Sequence, residues 1–507
     1  MLLIIGVILL LARVPFYLTH HIQEGAFLVF RTALNLADHG SYAYNVGTRD
    51  TGITCYAYAL LVAASRLLFG THFIIAVQLI NTLLVITGIY FFAAAVETRF
   101  LPKVIIWVLA SMTPLALLAS YVGMETALLL FAIGLTLYSL DKESAPGWLH
   151  SFPIFFLPWI RPDAVAYGAI LVAAFSWRHR RVHYQSLCWL LAGCASLTAF
   201  NLLLSGHLLN QTIIAKKIAY PRDKSVGAFL KRIPDTLFTH SIYNPLGQGT
   251  PRLISIGYAI LALSAIAISL WISRKDRRQW TVFLILGAFA VLVPLPYIYE
   301  GMVEFPWYFA VSSFIAFFVV LALFTIFALR VPVRARIGLL ACASLVLLAM
   351  ALSRAAVSLV AGAECQFMSG IGTYIKETAH PEDTLFLEPA GNIPFHAGIK
   401  TYDEVGLSSF NVVEYRLKYG PQWWIRFLQT EKPTFLFERS SIESYSNIWG
   451  YTMTDDEKAW FDRNYELIKK FEFKRSDYAT SALARSVLPF MRGEPVHPCY
   501  VFRLRPG

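Results

Sequence analysis

Ionisable and amide side chains of this 507-residue chain gather in four places beside long apolar runs. The first is Glu24, Arg31 and Asn35 in "QEGAFLVFRTALNLADHG", continuing into "YNVGTRDTG" with Asn45, Arg49 and Asp50. The second is "GMET", where Glu125 opens an apolar run. The third is "RPD", with Arg161 and Asp163 at a proline break, and the fourth is "SGHLLNQTIIAKK", with His207, Asn210, Thr212, Lys216 and Lys217. Ionisable groups beside hydrocarbon are costly and tend to mark function. A set like this suits group transfer from a lipid phosphate. Arginine or lysine would neutralise the charge developing on a phosphate leaving group, and a carboxylate would take the proton of an acceptor hydroxyl.

Each group also has a plainer reading when taken alone. Glu125 and Asp163 could be favoured by helix N-termini. Arg161 and Lys216 could snorkel to headgroups, and Glu24 could be an exposed loop acid. Together they are harder to dismiss, because three acids and several bases are assigned to one membrane face, each beside a break in a span.

The elements that position them are membrane spans. The chain is 57% hydrophobic and 15% charged, with a mean hydropathy of +0.55. A soluble globular chain is nearer half apolar and a quarter charged, so this composition predicts a polytopic membrane protein. The net charge of +11 does not point to nucleic acid. Its densest basic runs, "RHRR" (178–181), "RKDRR" (274–278) and "RVPVRAR" (330–336), are short and lie between apolar spans, as cytoplasmic anchors do.

Residues 2–18 read as a retained first span, since they lack a basic leader and a small-residue cleavage site. Further apolar runs occupy 53–69, 72–96, 104–121, 126–140, 152–176, 186–205, 253–273, 280–298, 307–329 and 337–353. Each is near the ~20 residues that cross the hydrocarbon core. Eleven spans are expected, or 12 to 13 if the proline-broken runs "FPIFFLPWIRP" and "SMTPLALL" count as more than one crossing. With the basic runs inside, loops 206–252 and 299–306 and everything after about 354 face outward. A strict count then puts the 19–52 loop on the wrong side, so one run must be broken or re-entrant. Such backbone is tolerated where it lines a cavity.

Between the first two runs, Phe27, Phe30 and Leu34 share one side of a helical pattern and Arg31 and Asn35 another. This predicts an amphipathic helix lying in the interface, framing a groove through which a long lipid enters sideways. Residues 354–507 change character to a soluble α/β domain. "PTFLFER" and "CYVFRLR" read as strands and "DEKAWFDRNYELIKKF" as a helix. Cys365 and Cys499 fall in this part and could pair outside the cytoplasm. Trp423 and Trp424 could stack on sugar or pack in a core.

The order "EGAF..FR.A.NLA", "YN.G", "GMET", "RPD" and "G.LL..T..AK", followed by "EPAGNIPFHAGIKTYDEVGL", resembles the polyprenyl-phosphate-sugar-dependent glycosyltransferases of the GT-C superfamily. Within it, the chain is most similar to the AftB-type arabinofuranosyltransferase group, over most of its length. The resemblance implies a polytopic GT-C-like fold of about 11–13 transmembrane helices over residues 1–353. The long first extracytoplasmic loop, 19–52, would carry the catalytic acid, and 354–507 would form an extracytoplasmic α/β domain. It implies a polyprenyl-phosphate-linked sugar donor, here a pentofuranose such as arabinofuranose, and an extracytoplasmic glycan or protein acceptor. Where the group shows two adjacent aspartates this chain has Glu24 and Gly25, so Glu24 is the expected catalytic residue. One carboxylate is a poor site for a hard divalent cation, and neither metal nor cofactor is expected.

The resemblance further assigns Lys216 and Arg161 to the donor phosphate, and Arg31 either to that phosphate or to orienting the interfacial helix. Asn35, Asn45, Glu125, Asp163, His207, Thr212 and Glu300 fall to the cavity. The group's Pro-Asn-Thr is Asn210-Gln211-Thr212 in this chain. The expected setting is the inner (cytoplasmic) membrane, multi-pass, with no nucleic-acid partner. A transporter or flippase of a lipid-linked substrate is the alternative from another class. It would show repeat symmetry and a route open to both sides, and no repeat is visible in the sequence. A non-catalytic envelope scaffold is a third reading, which would bind a polyprenyl phosphate without transferring sugar.

Overall fold

The structure, a computed structural model, describes residues 1–141, 151–238, 252–301, 306–439, 446–478, 480–487 and 498–506. The outward loops expected at 206–252 and 299–306 lie partly outside these residues. The chain divides into two compact units. Unit 1 comprises Met1–Leu18, Ile74–Leu197 and Arg222–Ala355, and unit 2 comprises Thr19–Phe73, Thr198–Pro221 and Ala356–Gly507. Segments 19–73 and 198–221 thus group with Ala356–Gly507 in unit 2.

All eleven apolar runs lie largely in helix. Six helices among the described residues are long and apolar enough to cross a membrane: Tyr56–Val96, Tyr184–Ser205, Leu253–Ser273, Arg277–Glu300, Ala310–Ala328 and Val333–Thr378. A seventh is added if Phe100–Ser111 and Pro114–Tyr121, bent by 65°, form one span. Tyr56–Val96 runs to 41 residues, about twice what one crossing needs. It holds two of the apolar runs, divided by the 3-10 turn Gly70–His72, where Gly70 adopts a φ of +56°. Leu2–Tyr17 and Thr126–Ser139 are shorter apolar helices.

Both proline breaks are present in unit 1. Thr113 caps the helix that Pro114 opens, its side chain accepting from the Ala116 N–H. Helix Pro153–Ile160 ends at Arg161, which is extended (φ −157°, ψ 133°) before the 3-10 turn Pro162–Ala164 and helix Val165–His179. The basic runs fall at turns between apolar helices. One polar residue of the first span escaped the apolar pattern. Arg13 is fully buried and donates to the Ser120 hydroxyl at 3.0 Å and to the carbonyls of Leu9 and Ser111 at 2.5 and 2.7 Å. It thereby satisfies the Ser111 carbonyl at the bend as well as one of its own helix, which buried backbone requires.

In unit 2 the C-terminal domain is built on a five-stranded sheet in the order β2-β1-β3-β5-β4. The strands are β1 Thr384–Leu387, β2 Lys400–Asp403, β3 Phe435–Arg439, β4 Tyr465–Phe471 and β5 Cys499–Leu504. β1 pairs in parallel with β2 and β3, and β5 pairs antiparallel with β3 and β4. Alternation fills both faces. Leu385, Leu387, Phe435, Phe437 and Val501 pack with Ile371 and Ile375 on one side, and Phe386, Leu436 and Phe502 pack with Trp424 and Phe427 on the other. Trp423 and Trp424 belong to this second core.

Two expectations are corrected here. The helix read over 456–471 ends at Asn464, and "YELIKKF" is the edge strand β4. Its pairing with β5 outweighs the helical pattern, and its lysines suit an exposed edge. Cys365 and Cys499 are free thiols, not a disulfide.

Close helix contact in unit 1 rests on glycine. A Cβ on Gly134 would lie 2.6 Å from the Gly88 carbonyl oxygen and 3.2 Å from the Phe92 ring, and small residues permit such approach between apolar helices. Gly134→Val is expected to destabilise the protein by about 1–3 kcal/mol, seen as a lower melting temperature in detergent. An unchanged melting temperature would show that these helices part at no cost.

Candidate active site

Helix Glu24–His39 in unit 2 begins after Gln23, which is extended, and ends at Gly40 with a φ of +66°. Its apolar side is buried, with Phe27 and Phe30 against Phe395 and Phe30 edge-on to Phe73. Glu24 at its first turn is half-buried, and its Oε1 accepts from the backbone N–H groups of Gly391 at 2.7 Å and Asn392 at 2.9 Å. Its Oε2 accepts no hydrogen bond from the described residues. Gly391 makes the approach feasible, since a Cβ there would stand 2.2 Å from the Glu24 carbonyl oxygen and 2.5 Å from Oε1. Asn392 is fixed in turn. Its Nδ2 donates to the Cys365 carbonyl at 2.8 Å and its Oδ1 accepts from the Ser369 hydroxyl at 2.9 Å.

Burial pushes the Glu24 carboxyl up to about 7, against the two backbone bonds that favour its charged form. Glu388 adds to the rise and Arg439 opposes it. These two side chains are themselves an ion pair.

Arg31, one of the cations expected at the donor phosphate, is spent on oxygens of its own unit. Its Nε donates to the Tyr44 carbonyl, Nη1 to the Pro394 carbonyl and Thr401 hydroxyl, and Nη2 to Asn45 Oδ1 and the Ile399 carbonyl. The guanidinium also stacks on the Tyr44 ring at 4.5 Å. Asn45 docks on the start of β2, exchanging two bonds with Thr401 at 2.8 and 2.9 Å. Asn35 donates to the carbonyls of Ala43 and Tyr44. Asp50 accepts from the Phe410 N–H.

Asn210 caps helix Gln211–Ala219, accepting from Thr212 N–H at 2.9 Å and Thr212 Oγ1 at 2.6 Å. Its Nδ2 donates to the Ile53 carbonyl and the Tyr56 hydroxyl, so Asn210 and Thr212 hold this helix start in place. Lys216 is half-buried on the same helix. The His207 ring lies 4.8 Å from that of Phe410.

In unit 1 the structure gathers three expected residues. Arg161 meets Asp163 at 3.0 Å and Glu125 at 3.4 Å, and donates to the Tyr297 hydroxyl at 3.3 Å. Two carboxylates thus hold the Arg161 guanidinium within unit 1. Glu300 pairs with Lys224 at 2.7 Å.

The acids and bases around β2 and β3 were missed by residue reasoning. Glu404 accepts from the indole N–H groups of Trp424 at 3.0 Å and Trp449 at 2.6 Å. It faces Glu438 in the interior, and burial raises Glu404 to about 7 and holds Glu438 well above the carboxylate range, so the two keep a proton at neutral pH. The Asp403 carboxylate caps its own turn through the N–H groups of Val405, Leu407 and Ser408, and burial lifts it to about 6. Arg416 lies between the Trp423 and Trp449 rings, 3.8 and 4.1 Å from their centres. The signal available was "TYDEVGL", two adjacent acids closing a strand in a domain core.

A family model described as a domain of unknown function (DUF8728) matches residues 357–488, and no curated protein matches the chain. Among solved structures, ArnT from Cupriavidus metallidurans bound to undecaprenyl phosphate is similar at 12% identity and a TM-score of 0.57, over 88% of this chain and 93% of that one. The oligosaccharyltransferase of Archaeoglobus fulgidus in the apo form is similar at 11% identity and a TM-score of 0.56, over 99% of this chain and 88% of that one. ArnT in the apo state matches at 12% identity and a TM-score of 0.55, over 87% and 93%. Identity this low shows likeness of fold alone. The chain has the GT-C fold, a polytopic helical membrane protein with a C-terminal domain.

The interior acids make stability depend on pH with a definite sign. Glu404 and Glu438 hold their protons in the fold above the 4.5 of the unfolded chain. Their contribution is therefore fully present below pH 4.5 and lost as pH rises through about 7. Melting temperature is expected to fall from pH 5 to pH 8, and Glu438→Gln should flatten that fall. An equal slope in the variant would remove Glu438 as its source.

Proposed function

We propose that this protein is a membrane glycosyltransferase that moves a sugar from a polyprenyl-phosphate donor to an extracytoplasmic glycan or protein acceptor, with Glu24 as general base. The observation that carries this reading is the Glu24 carboxyl. One oxygen is anchored by two backbone N–H groups, the other accepts no bond from the described residues, and burial sets its proton affinity at about 7. A base is most effective when its pKa lies near working pH. The GT-C fold supports the reading, since a similar structure holds undecaprenyl phosphate and another is an oligosaccharyltransferase.

In the inverting form of the reaction, the acceptor oxygen attacks the anomeric carbon as its proton passes to Glu24 Oε2. The bond from that carbon to the phosphate oxygen breaks, and the lipid phosphate leaves with the electron pair. Lys216 is the cation proposed to meet that phosphate. Arg31 is proposed to orient the helix that carries Glu24. The sequence resemblance supports a pentofuranose such as arabinofuranose as the donor sugar. The basic runs, read as cytoplasmic anchors, support a C-terminal domain outside the cytoplasmic membrane.

Glu24→Gln keeps an oxygen for Gly391 and Asn392 and loses only the base. Purified variant should melt as the parent does, while transfer from a synthetic polyprenyl-phosphate arabinofuranose falls by about 10²–10⁴. Transfer at the parental rate would end the assignment. In the parent, kcat/KM should rise about tenfold per pH unit below 7 and level off above it. A rate that declines with pH across that range would make Glu24 an acid instead.

A further inference from the structure

A cavity of about 570 Å³ opens in unit 2 along the C-terminal half of helix Glu24–His39, a volume within the range of small-ligand sites. Its lining includes Arg31, Asn35, Asp38, Asn45, Lys376 and Lys400. Arg31 and Asn45 are buried, while Lys376 and Lys400 are exposed, so the cavity runs from charged rim to charged floor. Its position relative to Glu24 follows from helix geometry. Residues 24, 31, 35 and 38 are spaced by seven, four and three, which returns to one face at 3.6 residues per turn. Arg31 stands about 10 Å along the helix from Glu24, and Asp38 about 21 Å.

The charge of the cavity is unbalanced. Arg31, Lys376 and Lys400 contribute three cations against one carboxylate, Asp38. Both Asp38 oxygens are taken by Arg66, at 3.1 and 3.0 Å. The five N–H groups of Arg31 go to carbonyl, amide and hydroxyl oxygens, and no carboxylate pairs with it among the described residues. A buried cation with satisfied hydrogen bonds but no counter-ion still carries its full charge, and its field is strongest in the adjoining low-dielectric space. His39 also belongs to the lining.

We propose that this cavity binds an anionic sugar, one bearing a phosphate or a carboxylate, as a subsite for the acceptor. Lys376 and Lys400 at the rim contact the anion, and Arg31 attracts it from the floor without giving up a hydrogen bond. The role as acceptor subsite rests on the function proposed above, but binding of the anion does not.

The two are separated by measuring binding with no donor present. The full-length protein in detergent is titrated calorimetrically with glucuronic acid, with glycerol 1-phosphate and with glucose as the neutral control. Either anion should bind at least tenfold more tightly than glucose, and the tighter of the two names the anionic group. The affinity should weaken with added salt. Lys376→Ala combined with Lys400→Ala changes two exposed side chains and should leave melting temperature unchanged, while anion affinity falls at least tenfold. Anions that bind no better than glucose, or equally well to the double variant, overturn the proposal. In a transfer assay the double variant should raise KM for an anionic acceptor and leave kcat and the KM of a neutral acceptor unchanged. Absence of transfer by the parent protein, with anion binding present and lost in the double variant, would count against the glycosyltransferase reading and not against the subsite.

Discussion

The contact on which unit 2 turns is the pair of backbone N–H groups, from Gly391 and Asn392, that hold one oxygen of Glu24. It is a close approach that only glycine permits, because a Cβ on residue 391 would overlap both the carbonyl and the carboxylate of Glu24. Backbone donors suit this task better than an arginine would. Two neutral N–H groups fix the orientation of the carboxylate while lowering its proton affinity by far less than a full positive charge at the same distance. Burial therefore prevails, and the carboxyl settles near 7. The support is itself rigid, because the side chain of Asn392 is clamped by Cys365 and Ser369 on the long helix leading into the sheet domain.

Around that contact, segments distant in sequence are stitched together by polar groups that the chain order does not reveal. Arg31 collects oxygens from Tyr44, Asn45, Pro394, Ile399 and Thr401. Asn45 adds to the first residues of β2, and the Tyr44 hydroxyl donates to the Ala390 carbonyl at 2.5 Å. Each bond is worth about 1 kcal/mol net, but leaving any of these buried oxygens unpaired would cost more. The consequence is that the loop after the interfacial helix has little freedom of its own, and the position of Glu24 is set by the C-terminal domain as much as by its own helix.

How much of this was legible follows from whether the signal was local. The apolar runs and their breaks at Pro114 and Pro162 are local, and both breaks stand where the prolines put them. The strands β3 and β5 were legible as short apolar runs. β4 was not, because Tyr465 follows Asn464 with no glycine or proline between helix and strand, and its pairing partners lie 28 to 39 residues on. Glu24 was legible by its place after the first apolar run. Its anchors lie 367 and 368 residues away, and the stretch "EPAGNIPFHAGIKTYDEVGL" could be singled out without showing that Gly391 and Asn392 touch Glu24. Thr212 was read as a cavity residue because a hydroxyl beside a span has the same look whether it meets a ligand or bonds the residue that caps a helix.

The two buried guanidiniums show how chemistry can be told from scaffolding once partners are known. Arg161 is buried with carboxylates on two sides, both within unit 1. Removing either acid would leave a charge with less compensation in a dry place, so that group is a stable knot at the broken helix. Arg31 is as deeply buried, and every N–H it owns is satisfied, yet its charge is cancelled by nothing among the described residues. Hydrogen bonds to carbonyls answer the donors but leave the monopole. A fold that merely needed five donors at that point would be cheaper with its charge neutralised, as Arg161 has. An uncancelled cation on the floor of a cavity whose rim carries two more is therefore the arrangement expected where an anion is to be received.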